Sequence, residues 1–223
     1  MNSRKRNVLI RVILAVAVFI YIGNLAWQQL PTYDFTVMIG FFIIYFGWVV
    51  LSETMLYTDP DTYVIDDDDK KSYLYLQFSF FIALLYATID FVELHYTRIY
   101  ELEPVITIIG FIIFILSCVI RWWGFKSIGK FFNPRVSVYE DHQLITRGAY
   151  KSIRHPLYLG SLLNFISIPI VFNSWGALLI IVIATVPALG YRIKIEEEFL
   201  LRHFGEEYRE YMQHTKKMIP GIW

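Results

Sequence analysis

Residues 144–160 combine charged, aromatic and glycine residues at the point where a polar segment meets an apolar one. The side chains in this stretch that can do chemistry are Tyr150, Arg154, His155 and Tyr158, with Gly148 and Gly160 on either side. They offer positive charge, hydrogen-bond donors and π-faces. Glycines at these positions allow close approach of the backbone to a ligand or to a neighbouring helix. The stretch is therefore a candidate binding site.

Pro156 follows Arg154 and His155 directly. Proline suits the first turn of a helix, because the N–H that it lacks needs no partner there. Arg154 and His155 are thus expected at a helix start, at the level of the lipid headgroups. Taken alone, the tripeptide fits a plain membrane anchor equally well, and the flanking glycines favour a ligand.

A second cluster follows at Arg192 and at three consecutive glutamates, residues 196–198. Arg192 and Glu196 are four residues apart, so they share one helix face and can form an ion pair. Three adjacent acids at the end of an apolar helix repel one another and are costly to desolvate. A nearby cation would relieve this cost, and it could come from Arg154, from His155 or from a positively charged ligand.

The composition indicates a membrane protein. Of the 223 residues, 56% are hydrophobic and 18% aromatic. Six apolar segments lie at residues 8–28, 35–57, 73–92, 104–123, 157–172 and 175–191. Since a spanning helix needs about 20 apolar residues, the first four are full spans, whereas the last two form a tight hairpin. We expect an all-α polytopic membrane protein with about six transmembrane segments, followed by an amphipathic interfacial helix within residues 194–214.

The basic residues predict the orientation of the chain. Most of its 20 lysines and arginines fall on the side of the N-terminus, and Arg98 falls on the opposite side. Both termini and both clusters are therefore expected to be cytoplasmic. The net charge of zero gives no case for nucleic acid.

The remaining charged positions have simpler interpretations. The acidic loop at residues 59–71 lacks the alternating ligands and the glycine of a calcium loop, so we expect a solvated, flexible turn and no metal site. Four ionisable residues in or beside the spans are either functional or snorkelling towards the headgroups: Glu53, Asp90, Glu93 and Arg121.

Both clusters together resemble the core signature of the isoprenylcysteine carboxyl methyltransferase family. The first half reads Leu144-x-Thr146-x-Gly148-x-Tyr150-x-x-x-Arg154-His155-Pro156-x-Tyr158-x-Gly160. The second half reads Arg192-Ile193-x-x-Glu196-Glu197-x-x-Leu200, then Phe204-Gly205-x-x-Tyr208-x-x-Tyr211, then Pro220. Order and spacing match over about residues 125–223. The chain departs from the family at Ala149 and Lys216, where the family commonly has proline.

The resemblance implies methyl transfer from S-adenosylmethionine to a lipophilic acceptor at the cytoplasmic membrane face. It divides the chain into a four-helix transmembrane part, residues 1–123, and a cofactor-binding catalytic part, residues 124–223. The expected partners are membrane lipids and a lipophilic small molecule or lipidated substrate. Two alternatives stay open: a nicotinamide-dependent membrane reductase of the sterol reductase type, and a non-enzymatic membrane scaffold.

The resemblance also implies roles for residues. The expected cofactor-binding residues are Gly148, Tyr150, His155, Pro156, Tyr158 and Glu197. Arg192 and Glu196 are the expected catalytic residues. Arg192 would orient an acceptor carboxylate, which needs no general base, whereas an amine or thiol acceptor would need Glu196 or His155 as the base.

Overall fold

The computed structural model describes residues 20–56, 64–67, 69–132, 137–139 and 143–219. The helices in these ranges are α1 (residues 20–29), α2 (Thr32–Leu56), α3 (Ser72–Ile89), α4 (Val105–Ile128), α5 (Pro156–Val171), α6 (Trp175–Ile180), α7 (Val186–Phe204) and α8 (Glu206–His214). A π-helical turn at Asp90–Leu94 extends α3, and a second one at Ile181–Thr185 joins α6 to α7. The expected all-α architecture is confirmed.

Four helical segments are long and apolar enough to cross a membrane: Thr32–Ser52, Ser72–Leu94, Val105–Phe131 and Trp175–Phe204. Helix α5 has 16 residues. At 1.5 Å per residue it is about 24 Å long, shorter than the ~30 Å hydrocarbon core of a bilayer. The first predicted segment, at residues 8–28, lies mostly outside the described residues.

Helix α7 continues from apolar into charged sequence without a break. Residues 194–204 were expected to begin a separate surface helix, and they instead prolong the second arm of the hairpin. The break comes at Gly205, whose φ of 55° suits glycine. Helix α8 follows and is amphipathic, with Tyr208 and Tyr211 buried. The change in composition near residue 192 is therefore not a helix boundary.

Helices α4 and α5 pack closely through glycines. A Cβ on Gly160 would lie 2.5 Å from Cγ of Arg121 and 3.2 Å from the carbonyl oxygen of Ser117. Likewise, a Cβ on Gly124 would lie 2.7 Å from a methyl carbon of Leu157. This packing fixes the first turn of α5 against the C-terminal part of α4, which positions the first cluster.

A buried polar network ties the helices together at the opposite end from this first turn. Arg98 lies 2.8 Å from an oxygen of Asp34 and 2.7 Å from an oxygen of Glu103. Asp90 accepts a hydrogen bond of 2.6 Å from the hydroxyl of Ser174. Asp90 and Arg98 are almost fully buried, so Asp90 serves structure here and does not snorkel.

The described part of the acidic loop forms a strand and contacts other elements. Strand β1 (Val64–Asp67) pairs antiparallel with β2 (Ser137–Tyr139), which joins the loop to the segment after α4. Beyond β1, the side chain of Asp69 is only 17% exposed. The interpretation of residues 59–71 as a solvated, flexible turn is therefore wrong for this part of the loop.

Candidate functional site

The start of α5 is held by the segment that follows α8. Pro156 occupies the first turn of α5, as predicted. The backbone N–H groups of Arg154 and His155 donate to the carbonyl oxygens of Lys216 and Lys217, at 2.8 and 2.9 Å. Ile153 and Lys216 form a parallel bridge. These two N–H groups are thus already used, although such groups at a helix start often bind anions.

Glu197 is the centre of the site. Its Oε1 lies 2.9 Å from Nε of Arg154 and 3.2 Å from Nε2 of His155. Its Oε2 lies 3.2 Å from Nζ of Lys217. The side chain of the glutamate is 9% exposed, so the cations around it offset the cost of burying its charge. Arg154, His155 and a ligand were the alternative candidates for relieving this cost, and the side chains of Arg154 and His155 both contact the glutamate.

Arg154 also satisfies the end of α8. Its Nη1 donates to the carbonyl oxygens of Met212 and Thr215. Carbonyl groups at a helix C-terminus lack partners within the helix and carry partial negative charge. One guanidinium therefore links α8 to Glu197 on α7 and to the start of α5.

Glu196 lies next to Glu197 and is more open, with 28% of its side chain exposed. The hydroxyl of Tyr158 donates to its Oε2, and Nδ1 of His155 lies 3.9 Å from its Oε1. The imidazole of His155 therefore lies between the two carboxylates. The structure thus brings together four of the predicted site residues in one small volume.

Arg192 reaches the same volume from α7. Its Nη1 donates to Oδ1 of Asp69 at 2.7 Å and to the hydroxyl of Ser72 at 2.9 Å. Its guanidinium carbon lies 5.7 Å from the ring centre of Tyr158 and 5.4 Å from that of Tyr73. These are cation–π distances. The guanidinium is therefore fixed both by hydrogen bonds and by stacking.

Gly148 and Tyr150 lie at the edge of the site and contact other elements. Gly148 has a φ of 62°, and a Cβ there would overlap the hydroxyl of Ser127. The carbonyl oxygen of Tyr150 accepts a 2.6 Å hydrogen bond from the hydroxyl of Tyr211. Burial raises the pKa of Tyr150, and nearby Glu196 adds to this shift. The contacts of both residues serve packing, and their predicted role in cofactor binding stays a prediction.

Three residues of the site were not predicted from the sequence: Asp69, Lys217 and Tyr208. Asp69 lies in the acidic loop and Lys217 beyond α8, far in sequence from either cluster. Tyr208 belongs to the matched signature, but it was given no role. It is 1% exposed, and its hydroxyl has no hydrogen-bond partner within the described part of the chain. Only for Tyr208 did the sequence carry a signal, its regular spacing from Tyr211.

The model of the isoprenylcysteine carboxyl methyltransferase (ICMT) family matches residues 108–202. Residues 108–202 are therefore similar to this family. The matched range contains both predicted clusters, whereas Asp69, Tyr208 and Lys217 lie outside it. The family resemblance read from the residues is confirmed.

Curated relatives carry the same family name. A probable protein-S-isoprenylcysteine O-methyltransferase from Oryza sativa subsp. indica is 31% identical over 119 residues, covering 52% of this chain and 62% of the relative. The protein-S-isoprenylcysteine O-methyltransferase of Tribolium castaneum is 34% identical over 116 residues, covering 51% of this chain and 41% of the relative. The chain thus spans less than two thirds of the length of these ICMT relatives.

A solved structure of the eukaryotic intramembrane Ras methyltransferase ICMT has a similar fold. The TM-score is 0.50 at 22% sequence identity, with 100% of this chain and 88% of that chain covered. The similarity extends over the N-terminal helices, which the family model does not match. Together with the four apolar helices, it identifies the chain as a polytopic integral membrane protein of the ICMT fold.

Proposed function

We propose that the chain transfers a methyl group from S-adenosylmethionine to a lipophilic acceptor at the cytoplasmic face of the membrane. The single observation that carries this proposal is the convergence of Arg154, His155 and Glu197 at the start of α5. These residues come from both halves of the family signature. The names of the ICMT relatives support an isoprenylcysteine-type carboxylate as the acceptor.

The residues present fit the cofactor. S-adenosylmethionine carries an ammonium, a carboxylate, a sulfonium and an adenine. Glu197 and the more open Glu196 suit the ammonium as negatively charged acceptors. The hydroxyl of Tyr208 is buried and lacks a partner among the described residues. A buried polar group of this kind normally has one, so it supports a ligand at this place.

S-adenosylmethionine, when bound, supplies an electrophilic methyl group on its sulfonium. The chain contributes orientation and the exclusion of water. Arg192 is held rigidly enough to orient an acceptor carboxylate, and alignment of the reacting groups is the main source of rate in such a displacement. A carboxylate acceptor needs no base. For an amine or thiol acceptor, Glu196 and His155 remain the candidate bases.

The membrane setting supports the same acceptor class. The helices present long rows of exposed apolar side chains, so a lipophilic acceptor would reach the site laterally from the bilayer. The distribution of lysine and arginine supports a cytoplasmic site, where a water-soluble cofactor is available.

Two assays test the proposal. Isothermal titration calorimetry of protein in detergent or nanodiscs should detect S-adenosylmethionine binding and no binding of a nicotinamide cofactor. Membrane-lipid extracts and a farnesylcysteine analogue, incubated with methyl-labelled cofactor, should then reveal the acceptor. Binding of the nicotinamide cofactor instead would favour the reductase. If neither cofactor binds, the chain is not an enzyme of either class.

Matched variants locate the binding site. Glu197→Gln should weaken S-adenosylmethionine binding at least tenfold, about 1.4 kcal/mol, because an ion pair with the ammonium is lost. Glu198→Gln is the control, since Glu198 lies on the same helix but is 49% exposed and pairs with Lys194. Equal affinities for both variants would contradict the assignment of Glu197.

A further inference from the structure

Asp69 connects the acidic loop to the site residue Arg192, 123 positions away in sequence. The bond between Oδ1 of Asp69 and Nη1 of Arg192 measures 2.7 Å, and the two side chains are 17% and 4% exposed. The hydroxyl of Ser72, a fully buried residue, accepts from the same nitrogen at 2.9 Å. A charge-assisted bond of this length in a buried setting is strong and directional.

The carboxylate of Asp69 is itself held in place by the start of α3. Its Oδ2 accepts from the backbone N–H of Tyr73 at 3.2 Å, and its Oδ1 accepts from the hydroxyl of Ser72 at 3.2 Å. The backbone N–H of Ser72 donates to the carbonyl oxygen of Asp69 at 2.8 Å. Asp69 lies two residues before Lys71, the N-cap residue of α3. Its carboxylate accepts from the first turn of the helix and also binds the guanidinium of Arg192. Its position is fixed by the fold.

The N-terminal part of the chain therefore sets the orientation of Arg192. Tyr73 of α3 and Tyr158 of α5 stand at cation–π distances from the guanidinium. The hydroxyl of Tyr158 continues to Glu196. Leu76 of α3 packs in one apolar cluster with Leu189 and Ile193 of α7, which keeps the two helices in register. Asp69, Ser72 and Tyr73 all precede residues 108–202.

We propose that Asp69 is a positioning residue, which aims the guanidinium of Arg192 at the acceptor carboxylate. The inference rests on the proposed function, in which Arg192 orients the acceptor. Arginine has a long, flexible side chain, and an unpaired guanidinium near a membrane surface turns towards the headgroups. Asp69 removes this freedom before the acceptor arrives. The half of the chain outside the family match thereby supplies a part of the site.

The test separates acceptor turnover from donor binding. A displacement of about 1 Å of an orienting group can cost 100-fold in rate. Asp69→Ala should therefore lower kcat by about 10- to 100-fold, while the Kd for S-adenosylmethionine stays within about twofold of wild type. Asp69→Asn keeps an oxygen acceptor for the guanidinium, so its kcat should lie between that of Asp69→Ala and that of the wild type. The exposed Glu198→Gln is the control and should match the wild type.

A double-mutant cycle shows whether Asp69 acts through Arg192. In an Arg192→Lys background, Asp69→Asn should cost less than half of its effect on log kcat in the wild type, since contacting residues are not additive. Equal costs in both backgrounds would overturn the proposal. So would a kcat for Asp69→Ala within twofold of wild type, or a parallel loss of donor affinity and kcat, which indicates a general structural role. A wild-type protein that binds the donor but methylates no acceptor contradicts the proposed function instead.

Discussion

Arg154 and Glu197 form a buried ion pair across 43 positions of sequence, with Nε of the arginine 2.9 Å from Oε1 of the glutamate. The two side chains are 6% and 9% exposed. The pair joins the start of α5 to the charged half of α7, so it connects the two halves of the family signature. Removing one partner of a buried ion pair is costly, because the other charge stays buried without a partner. The pair therefore contributes to the stability of the fold as well as to the site.

Glu197→Ala should destabilise the protein, because it leaves Arg154 buried without its carboxylate. Loss of one partner of a buried pair costs about 3–5 kcal/mol. Denaturant unfolding in a mild detergent measures the change in the free energy of unfolding. The double variant Arg154→Met with Glu197→Leu should recover only part of the loss, since it removes both charges of the pair but leaves the carbonyl oxygens of Met212 and Thr215 without the guanidinium. A loss for Glu197→Ala no larger than that for the exposed Glu198→Ala would show that the pair is well solvated.

Lys217→Met should strengthen the binding of S-adenosylmethionine, the methyl donor. The ammonium of Lys217 lies 3.2 Å from Oε2 of Glu197, and its side chain is 33% exposed. The ammonium of the donor would compete for this oxygen. A partly exposed ion pair contributes up to about 1 kcal/mol, so the affinity measured by calorimetry should rise roughly two- to fivefold. Lys216→Met is a matched control, because Lys216 is exposed and contributes to the bridge through its backbone. Weaker binding by Lys217→Met would instead mean that Lys217 holds the donor directly.

Tyr208→Phe should leave the unliganded protein as stable as the wild type, or more stable. Its hydroxyl has no partner among the described residues, so its removal costs no hydrogen bond within them. Burial raises the pKa of Tyr208, and Glu197 adds to this shift. The hydroxyl therefore stays protonated and can donate a hydrogen bond to bound S-adenosylmethionine. Donor affinity should fall roughly two- to tenfold, as for a hydrogen bond worth about 0.5–1.5 kcal/mol.

Tyr211→Phe, on the same helix as Tyr208, should lower stability and leave the affinity for S-adenosylmethionine unchanged. The hydroxyl of Tyr211 donates to the carbonyl oxygen of Tyr150, so its loss should cost about 1 kcal/mol of stability and leave donor affinity nearly unchanged. Thermal unfolding and calorimetry of both variants give the comparison. If Tyr208→Phe shows the larger loss of stability and unchanged affinity, its hydroxyl does not contact the donor.

The network around Arg98 should make the protein sensitive to acid. Burial alone would raise the pKa of Glu103, but hydrogen bonds from Arg98 and Asn173 and the charge of Arg98 outweigh it and lower the pKa. A lowered pKa in the folded state gives stability that is present above the unfolded value, about 4.3, and is lost as the pH falls through the folded value. The melting temperature should therefore drop below about pH 4. Glu103→Gln should flatten this dependence, and the exposed Glu101→Gln should not. Equal slopes for both variants would contradict the prediction.

The local patterns of the two clusters were sufficient to predict where they meet. The short hairpin returns the chain to its starting side, so Arg154 and His155 were expected to face Glu197. The structure brings them together. Helix type was equally predictable, because apolar runs of about 20 residues leave few alternatives.

The partners of Arg192 could not be predicted in the same way. The sequence pairs Arg192 with Glu196 on one helix face, and the structure adds bonds to Asp69 and Ser72 on another element. A contact between residues so far apart depends on how helices pack, and no local pattern encodes it. The same holds for Lys217. It lies near Glu197 because the preceding residue, Lys216, forms a bridge with Ile153. The end of α7 was misplaced because charged residues continue a helix as readily as apolar ones, and Gly205 was the true signal.

The bridge between Ile153 and Lys216 has a consequence for the order of assembly. Translation and membrane insertion proceed from the N-terminus, and domains tend to fold in that order. The start of α5 is synthesised some 60 residues before the segment that pairs with it. The backbone N–H groups of Arg154 and His155 can therefore form these hydrogen bonds only after both arms of the hairpin and α8 have been synthesised. The site is completed only after residues 216–217 have been made. A chain stalled after α7 would hold the membrane helices without a finished site.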